Sequence, residues 1–134
     1  MTGRDLDTFY VWEQETMNAM LIEETEDTFS GEYVPSPEIV ASGDPRSKTW
    51  TAATFTSGRS ISTGIWTAEP GVLKVTNYPV DEVFTVVSGK IEVTNEDGSV
   101  VHVGPGQSCL LRKGWTGLFR MVEQTRKCFV TAED

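Results

Sequence analysis

Residues 79–119 read PVDEVFTVVSGKIEVTNEDGSVVHVGPGQSCLLRKGWTGLF, and residues 126–129 follow as RKCF. In Lys90–Thr94 apolar residues alternate with polar ones, the period of a strand buried on one face. Asn95-Glu96-Asp97-Gly98 supplies hairpin-turn chemistry, and Ser99–Val103 returns as the partner strand. Gly104-Pro105-Gly106 makes a second tight turn. Toward the N-terminus, Trp50–Phe55 and Ser60–Ala68 are short strands rich in Thr, Ile and Trp. Strands of this length with Gly-marked turns between them predict an all-β sandwich or barrel.

The 134 residues suffice for one domain with a real core and are too few for two. No apolar run approaches the roughly eighteen residues of a membrane span, and Met1–Asp7 lacks the apolar stretch of a signal peptide. Two cysteines, Cys109 and Cys128, cannot build a disulfide scaffold, so a cytoplasmic protein is expected. The net charge of −9 is uneven: residues 1–32 hold nine carboxylates against Arg4 alone, while the rest hold eleven acids and ten bases. Such an acidic segment repels phosphate backbones and argues against nucleic acid as a partner. It is read as an acidic, solubilising N-terminal arm over residues 1–36, followed by a β-barrel domain over residues 37–134. Within the arm, Thr8–Glu24 has the spacing of an amphipathic helix and Met17–Ile22 that of an edge strand, and periodicity does not decide between them. From Gly31 to Arg46, the residues Pro35, Pro37, Gly43 and Pro45 leave little room for helix.

The same stretch resembles the cupin superfamily, in particular the small single-domain proteins related to the cupin domain of ureidoglycine aminohydrolase and the ethanolamine-utilisation cupin. Pro70-Gly71 opens the first cupin motif, Glu82 fills its carboxylate position, and Gly89 closes it. The second motif appears as Gly106, then Arg112-Lys113-Gly114. The resemblance spans roughly residues 38–134 and implies a cupin jelly-roll barrel with a cleft inside. Where the superfamily carries its three metal-binding histidines, this chain has Thr76, Tyr78 and Gly117. Three imidazoles and a carboxylate hold a divalent ion while leaving positions open, and that donor set is gone. The single histidine, His102, lies between Val101 and Val103; with the valines facing the core, strand alternation aims it outward. Cys109, Cys128 and His102 match no zinc spacing. A metal-independent protein without a cofactor is therefore expected.

In the cupin register Glu82 points into the cleft, together with Thr76, Tyr78, Phe84 and Val86 by two-residue alternation. A buried carboxylate costs on the order of several kcal/mol unless it is paired. Lys113, Arg120, Arg126 and Lys127 are the available cations, and the resemblance favours Lys127, because the subfamily commonly carries Arg-Lys before its last strand. Glu82 and Tyr78, with Lys127, then form either an acid/base group for a small polar ligand or a satisfied structural network. Trp66, Trp115 and Phe119 stand where the subfamily carries aromatics; they line a ligand pocket with Thr76 and Phe84, or simply pack the barrel. Cys109 and Cys128 lie in apolar strands away from a base and read as inert thiols.

Two functions follow. One is a metal-independent cupin that binds, and in its stronger form transforms, a small polar metabolite by Glu/Tyr acid-base chemistry. The other is a non-catalytic, dimeric ligand-binding or accessory module. A homodimer is expected from the resemblance and from the exposed edges of a jelly roll, with the segment before Pro45 laid across the partner as an added strand.

Overall fold

Burial alternates along the strands that the turns delimit, and this builds two antiparallel sheets. The computed structural model describes residues 18–134. Its strands are β1 (Phe29–Tyr33), β2 (Val40–Gly43), β3 (Ser47–Ser57), β4 (Arg59–Ala68), β5 (Gly71–Val75), β6 (Asp81–Ser88), β7 (Ile91–Asn95), β8 (Val100–Val103), β9 (Ser108–Leu111), β10 (Gly117–Met121) and β11 (Thr125–Glu133). The larger sheet runs β1-β3-β4-β11-β6-β9 and the smaller β2-β5-β10-β7-β8. Non-sequential neighbours such as β4-β11-β6 are the jelly-roll crossovers, so the expected cupin barrel is the observed fold.

The inward rows close the core. β6 buries Glu82, Phe84 and Val86, β7 buries Ile91 and Val93, and β10 buries Phe119 and Met121. The β7–β8 turn closes with the Gly98 amide donating to the Asn95 carbonyl at 2.9 Å, and Gly98 takes a φ of 88°. β3 and β4 meet so closely at the β3 bulge that a Cβ on Gly64 would stand 1.9 Å from the Trp50 carbonyl oxygen, so only glycine fits there.

Several expectations change. Residues 18–28 form no helix and no strand, so both readings of the segment before Glu24 fail as far as it is described. Residues 8–17 of the Thr8–Glu24 helix, and Met17 of the alternative strand, lie outside the described residues. A Thr25–Thr28 turn, closed by backbone and hydroxyl hydrogen bonds, directs the chain into β1 instead. β1 falls in the stretch read as arm yet pairs with β3 as an edge of the larger sheet. The Pro-rich stretch that follows holds a 3-10 turn, Pro37–Ile39, and β2. Of the two valines expected in the core, Val103 is buried and Val101 is exposed: β8 is the outermost strand of its sheet, and its inward row reaches water toward the Val101 end. His102 faces solvent, as strand alternation requires. Among the described residues no helix is long and apolar enough to cross a membrane.

Candidate functional site

Strand β6 carries Glu82 into the barrel, where it is 3% exposed. Beside it β11 brings Lys127, 5% exposed, because Lys127 pairs with Val86 on one side and Trp66 on the other and shares their inward face. Lys127 Nζ lies 2.8 Å from Glu82 Oε2. That oxygen has no well-aligned hydrogen bond, so the contact is ionic and its lone pairs stay poorly used. The other carboxylate oxygen, Oε1, accepts a short hydrogen bond from the Tyr78 hydroxyl. The remaining candidate cations are engaged elsewhere: Lys113 with Asp134, Arg120 with Glu92 and Arg126 with Glu24.

Three aromatic faces surround the ammonium. Nζ stands 4.4 Å from the ring centre of Trp66, 4.6 Å from Phe84 and 5.1 Å from Phe119. Phe119 meets both other rings edge-on, which locks the cage. Rings at this range attract a cation through their negative faces, more strongly once water is excluded.

Tyr78 is fixed by its backbone. Its amide donates to the Trp115 carbonyl and its carbonyl accepts from the Gly114 amide, strapping it to the β9–β10 loop. Burial first, then the Glu82 charge and the hydrogen bond to it, push the phenol far above its usual range. Tyr78 is therefore a neutral donor at any physiological pH.

A cavity of about 150 Å³ opens beside this group. Its walls include Trp66, Leu73, Val75, Tyr78, Trp115, Phe119 and Lys127, together with Tyr33, Ser47 and Leu111. The Trp115 indole N–H is committed to Asn95 Oδ1 at 2.9 Å, so its ring is a held wall. A larger groove of about 420 Å³ lies at the rim by Lys48 and Arg126. It is mixed in charge, and its arginines are already paired, Arg46 with Asp44 and Arg126 with Glu24.

Of the residues singled out in the sequence, Tyr78, Lys127, Trp66, Trp115 and Phe119 line the cavity. Glu82 and Phe84 stand behind that wall, Glu82 holding Lys127 and Phe84 lying under it. Thr76 is exposed and outside, a correction to its expected place. Alternation breaks between 76 and 78 because β5 has ended at Val75 and Asn77 adopts a left-handed φ of 53°. Val75 takes the inward place instead. Tyr33 escaped notice because it lay in the presumed arm; Leu73 and Val75 were legible as alternate residues after Gly71. Cys109 packs toward the core and Cys128 lies on the opposite face of the sheet, and burial raises both thiols.

Residues 55–129 match the EutQ-like cupin domain family. The chain belongs to that family. Among solved structures, the cupin barrel is shared with a Pseudomonas syringae pv. tomato protein of unknown function in the DUF861 family, at 20% identity and a TM-score of 0.68 over 78% of this chain. The chain spans 43% of that protein's length. The Clostridium difficile EutQ protein is similar at 18% identity and a TM-score of 0.59, covering 84% of this chain and 81% of its own. A Rhizobium leguminosarum bv. viciae protein of unknown function reaches 27% identity and a TM-score of 0.57, covering 66% of this chain and 82% of its own. No curated protein matches the sequence.

The cupin fold raises the question of a metal, and the residues do not fit one. The carboxylate that the cupin pattern reserves for a metal ion is occupied by the Lys127 ammonium. A Cβ at Gly117 would meet the Trp115 ring at 2.6 Å and the Thr94 carbonyl at 2.1 Å, so the third ligand position has no room for a side chain. Among the described residues no three of His, Cys, Asp and Glu gather as a ligand set.

Proposed function

We propose that this cupin binds, without a metal, a small metabolite with a flat apolar body and a hydrogen-bond acceptor, and that Lys127 recognises it. One observation carries this reading: an ammonium caged by three rings and neutralised from behind faces a small, largely apolar cavity. An ammonium has three N–H donors, and Glu82 engages one side of it. A ligand oxygen in the cavity takes another, and Ser47 offers a hydroxyl at the same wall. An apolar cavity of about 150 Å³ holds a benzene-sized body, which sets the scale of the ligand. Among amine, ureide and carboxylate chemistry, the neighbourhood that the cupin resemblance suggests, this wall suits ureides and carboxylates. An amine's own ammonium would face Lys127.

Binding is favoured over acid-base turnover by the same geometry. Glu82 lies behind the wall and acts through Lys127 as a positioning residue, and Tyr78 is held protonated with its hydrogen turned to Glu82. Two unpaired thiols on opposite faces of one sheet suit a reducing compartment such as the cytoplasm.

The test is calorimetry and thermal unfolding with benzamide, benzoate and benzylamine. Benzamide or benzoate should stabilise the protein and benzylamine should not; at about a hundred times its Kd a ligand adds about 2.7 kcal/mol. Lys127→Arg should weaken that response. Equal binding of benzylamine, or no response to any of the three, would defeat the reading.

A further inference from the structure

Lys127 carries the only amine among the described residues that line the cavity. The other four lysines, Lys48, Lys74, Lys90 and Lys113, are exposed. A lysine amine in an apolar site becomes a nucleophile when a nearby base takes its proton, because the neutral form loses little by leaving water. That base is in place. Glu82 Oε2 stands 2.8 Å from Nζ and has no well-aligned hydrogen bond, whereas Oε1 is already held by the Tyr78 hydroxyl. One carboxylate oxygen is thus fixed and the other is placed to carry a proton. Two of the three rings around the ammonium, Trp66 and Phe119, also line the cavity, so the nitrogen and the space share a wall.

We propose that Lys127 forms an imine with a small apolar aldehyde seated in this cavity, capturing it through a reversible covalent bond. The inference rests on the cavity reading given above and adds to it a bond and a ligand class. In the first step Glu82 Oε2 takes a proton from the ammonium, and the amine lone pair attacks the carbonyl carbon. A C–N bond forms, the C=O π pair moves to oxygen, and that oxygen takes up a proton given by the attacking nitrogen. In the second step Glu82 returns its proton to the new hydroxyl, the C–O bond breaks, water leaves, and the nitrogen lone pair closes the C=N bond. The sum is aldehyde plus ammonium giving iminium plus water, with no change of oxidation state and no co-reactant. The product suits the site as the ammonium did: one positive charge on nitrogen, still beside Glu82 and the ring faces. Apolar walls keep away the water that would hydrolyse it. An aldehyde carbon bears one substituent and a hydrogen, so it reaches a nitrogen crowded by rings where a ketone, with two substituents, collides. A cavity of about 150 Å³ seats one benzene-sized substituent.

The test is reductive trapping on the full-length chain, with benzaldehyde and sodium cyanoborohydride at neutral pH and mass spectrometry of the digested protein. The hydride turns an iminium into a stable secondary amine, so each lysine is read separately. Lys127 should gain its benzyl group at least about ten-fold faster than any exposed lysine, an advantage that desolvation and a positioned base supply. In denaturant the advantage should vanish. Excess benzamide, at a concentration where calorimetry shows it bound, should suppress labelling at Lys127 and spare the four exposed lysines. Lys127→Arg, which keeps a cation beside Glu82, should remove the fast label. Labelling of Lys127 no faster than that of the exposed lysines overturns the imine; benzamide binding in that case leaves the non-covalent reading standing. Fast labelling that persists in denaturant, or that bound benzamide does not slow, overturns it as well, because the amine then reacts outside the cavity. Fast labelling with no benzamide binding upholds the imine and defeats only the non-covalent reading.

Discussion

Asp81 and Glu82 are consecutive carboxylates on one strand, and they live in opposite worlds. Glu82 faces inward, meets one ammonium and one phenol, and is almost wholly cut off from water. Asp81 faces outward at the barrel rim. It accepts from Arg59 at 2.8 Å, from Arg112 at 3.2 Å and from the Lys113 amide at 2.8 Å, and Arg59 and Lys113 also reach Asp134. The rim carboxylate has more partners, yet each is worth little beside water, which competes for every one of them. The inner carboxylate has fewer, and each is hard to replace. The count of contacts misleads; burial sets their weight.

That contrast is most exposed by Lys127→Met. Removing the cation leaves a buried carboxylate with one hydrogen bond, and the expected loss is about 3–5 kcal/mol in denaturant unfolding. A loss no larger than that of a typical surface change would mean that water reaches Glu82 and that the contrast is false.

Glu82→Gln comes next. It strands the ammonium, but the three rings keep part of their hold, so roughly 2–3 kcal/mol is expected. Combined with Lys127→Met, the loss should be smaller than the sum of the two single losses, because the pair is coupled. Strict additivity would show that the two groups do not act as a unit.

A smaller effect belongs to Asp81. The Lys113 amide first, and then Arg59, hold its carboxyl well below the usual carboxylate range, against a modest opposing effect of burial. A depressed folded value means that the unfolded chain takes up the proton first as pH falls. The stabilisation is therefore complete above about pH 4, the unfolded value, and is lost progressively below it. Asp81→Asn should flatten the acid limb of the stability profile and change little at pH 7. An unchanged acid limb would move that dependence to another carboxylate.

The smallest effect is expected at Thr76, which the cupin pattern aligns with a ligand position. It is exposed and follows the end of β5. Thr76→Ala should leave stability within about 0.5 kcal/mol and leave benzamide or benzoate binding unchanged. A clear loss of binding would return Thr76 to the cavity.

How far the site was legible depended on strand continuity. Along β6 the alternation from Glu82 to Val86 carries straight from sequence to structure, because an unbroken strand has no freedom to turn one residue without turning its neighbours. At Asn77 the strand has ended, and the same rule misplaces Thr76. Tyr33 was invisible for a different reason: β1 is short, lies among acidic residues and buries nothing, so only its pairing with β3 brings Tyr33 to the cavity lining beside Ser47.

By itself the sequence determined the strand content, the turn at Asn95–Gly98, the cupin motifs, the loss of the three imidazoles and the inward aim of Glu82. Each of these is local, written in alternation, turn chemistry or a short spacing. The cupin resemblance already favoured Lys127 among four cations as the partner of Glu82; the tertiary structure alone decided that three rings from β4, β6 and β10 close around its ammonium and that Glu82 stands behind the cavity wall. These depend on which strands become neighbours across the barrel, and strand order is set by the packing of the whole chain, which no local period encodes.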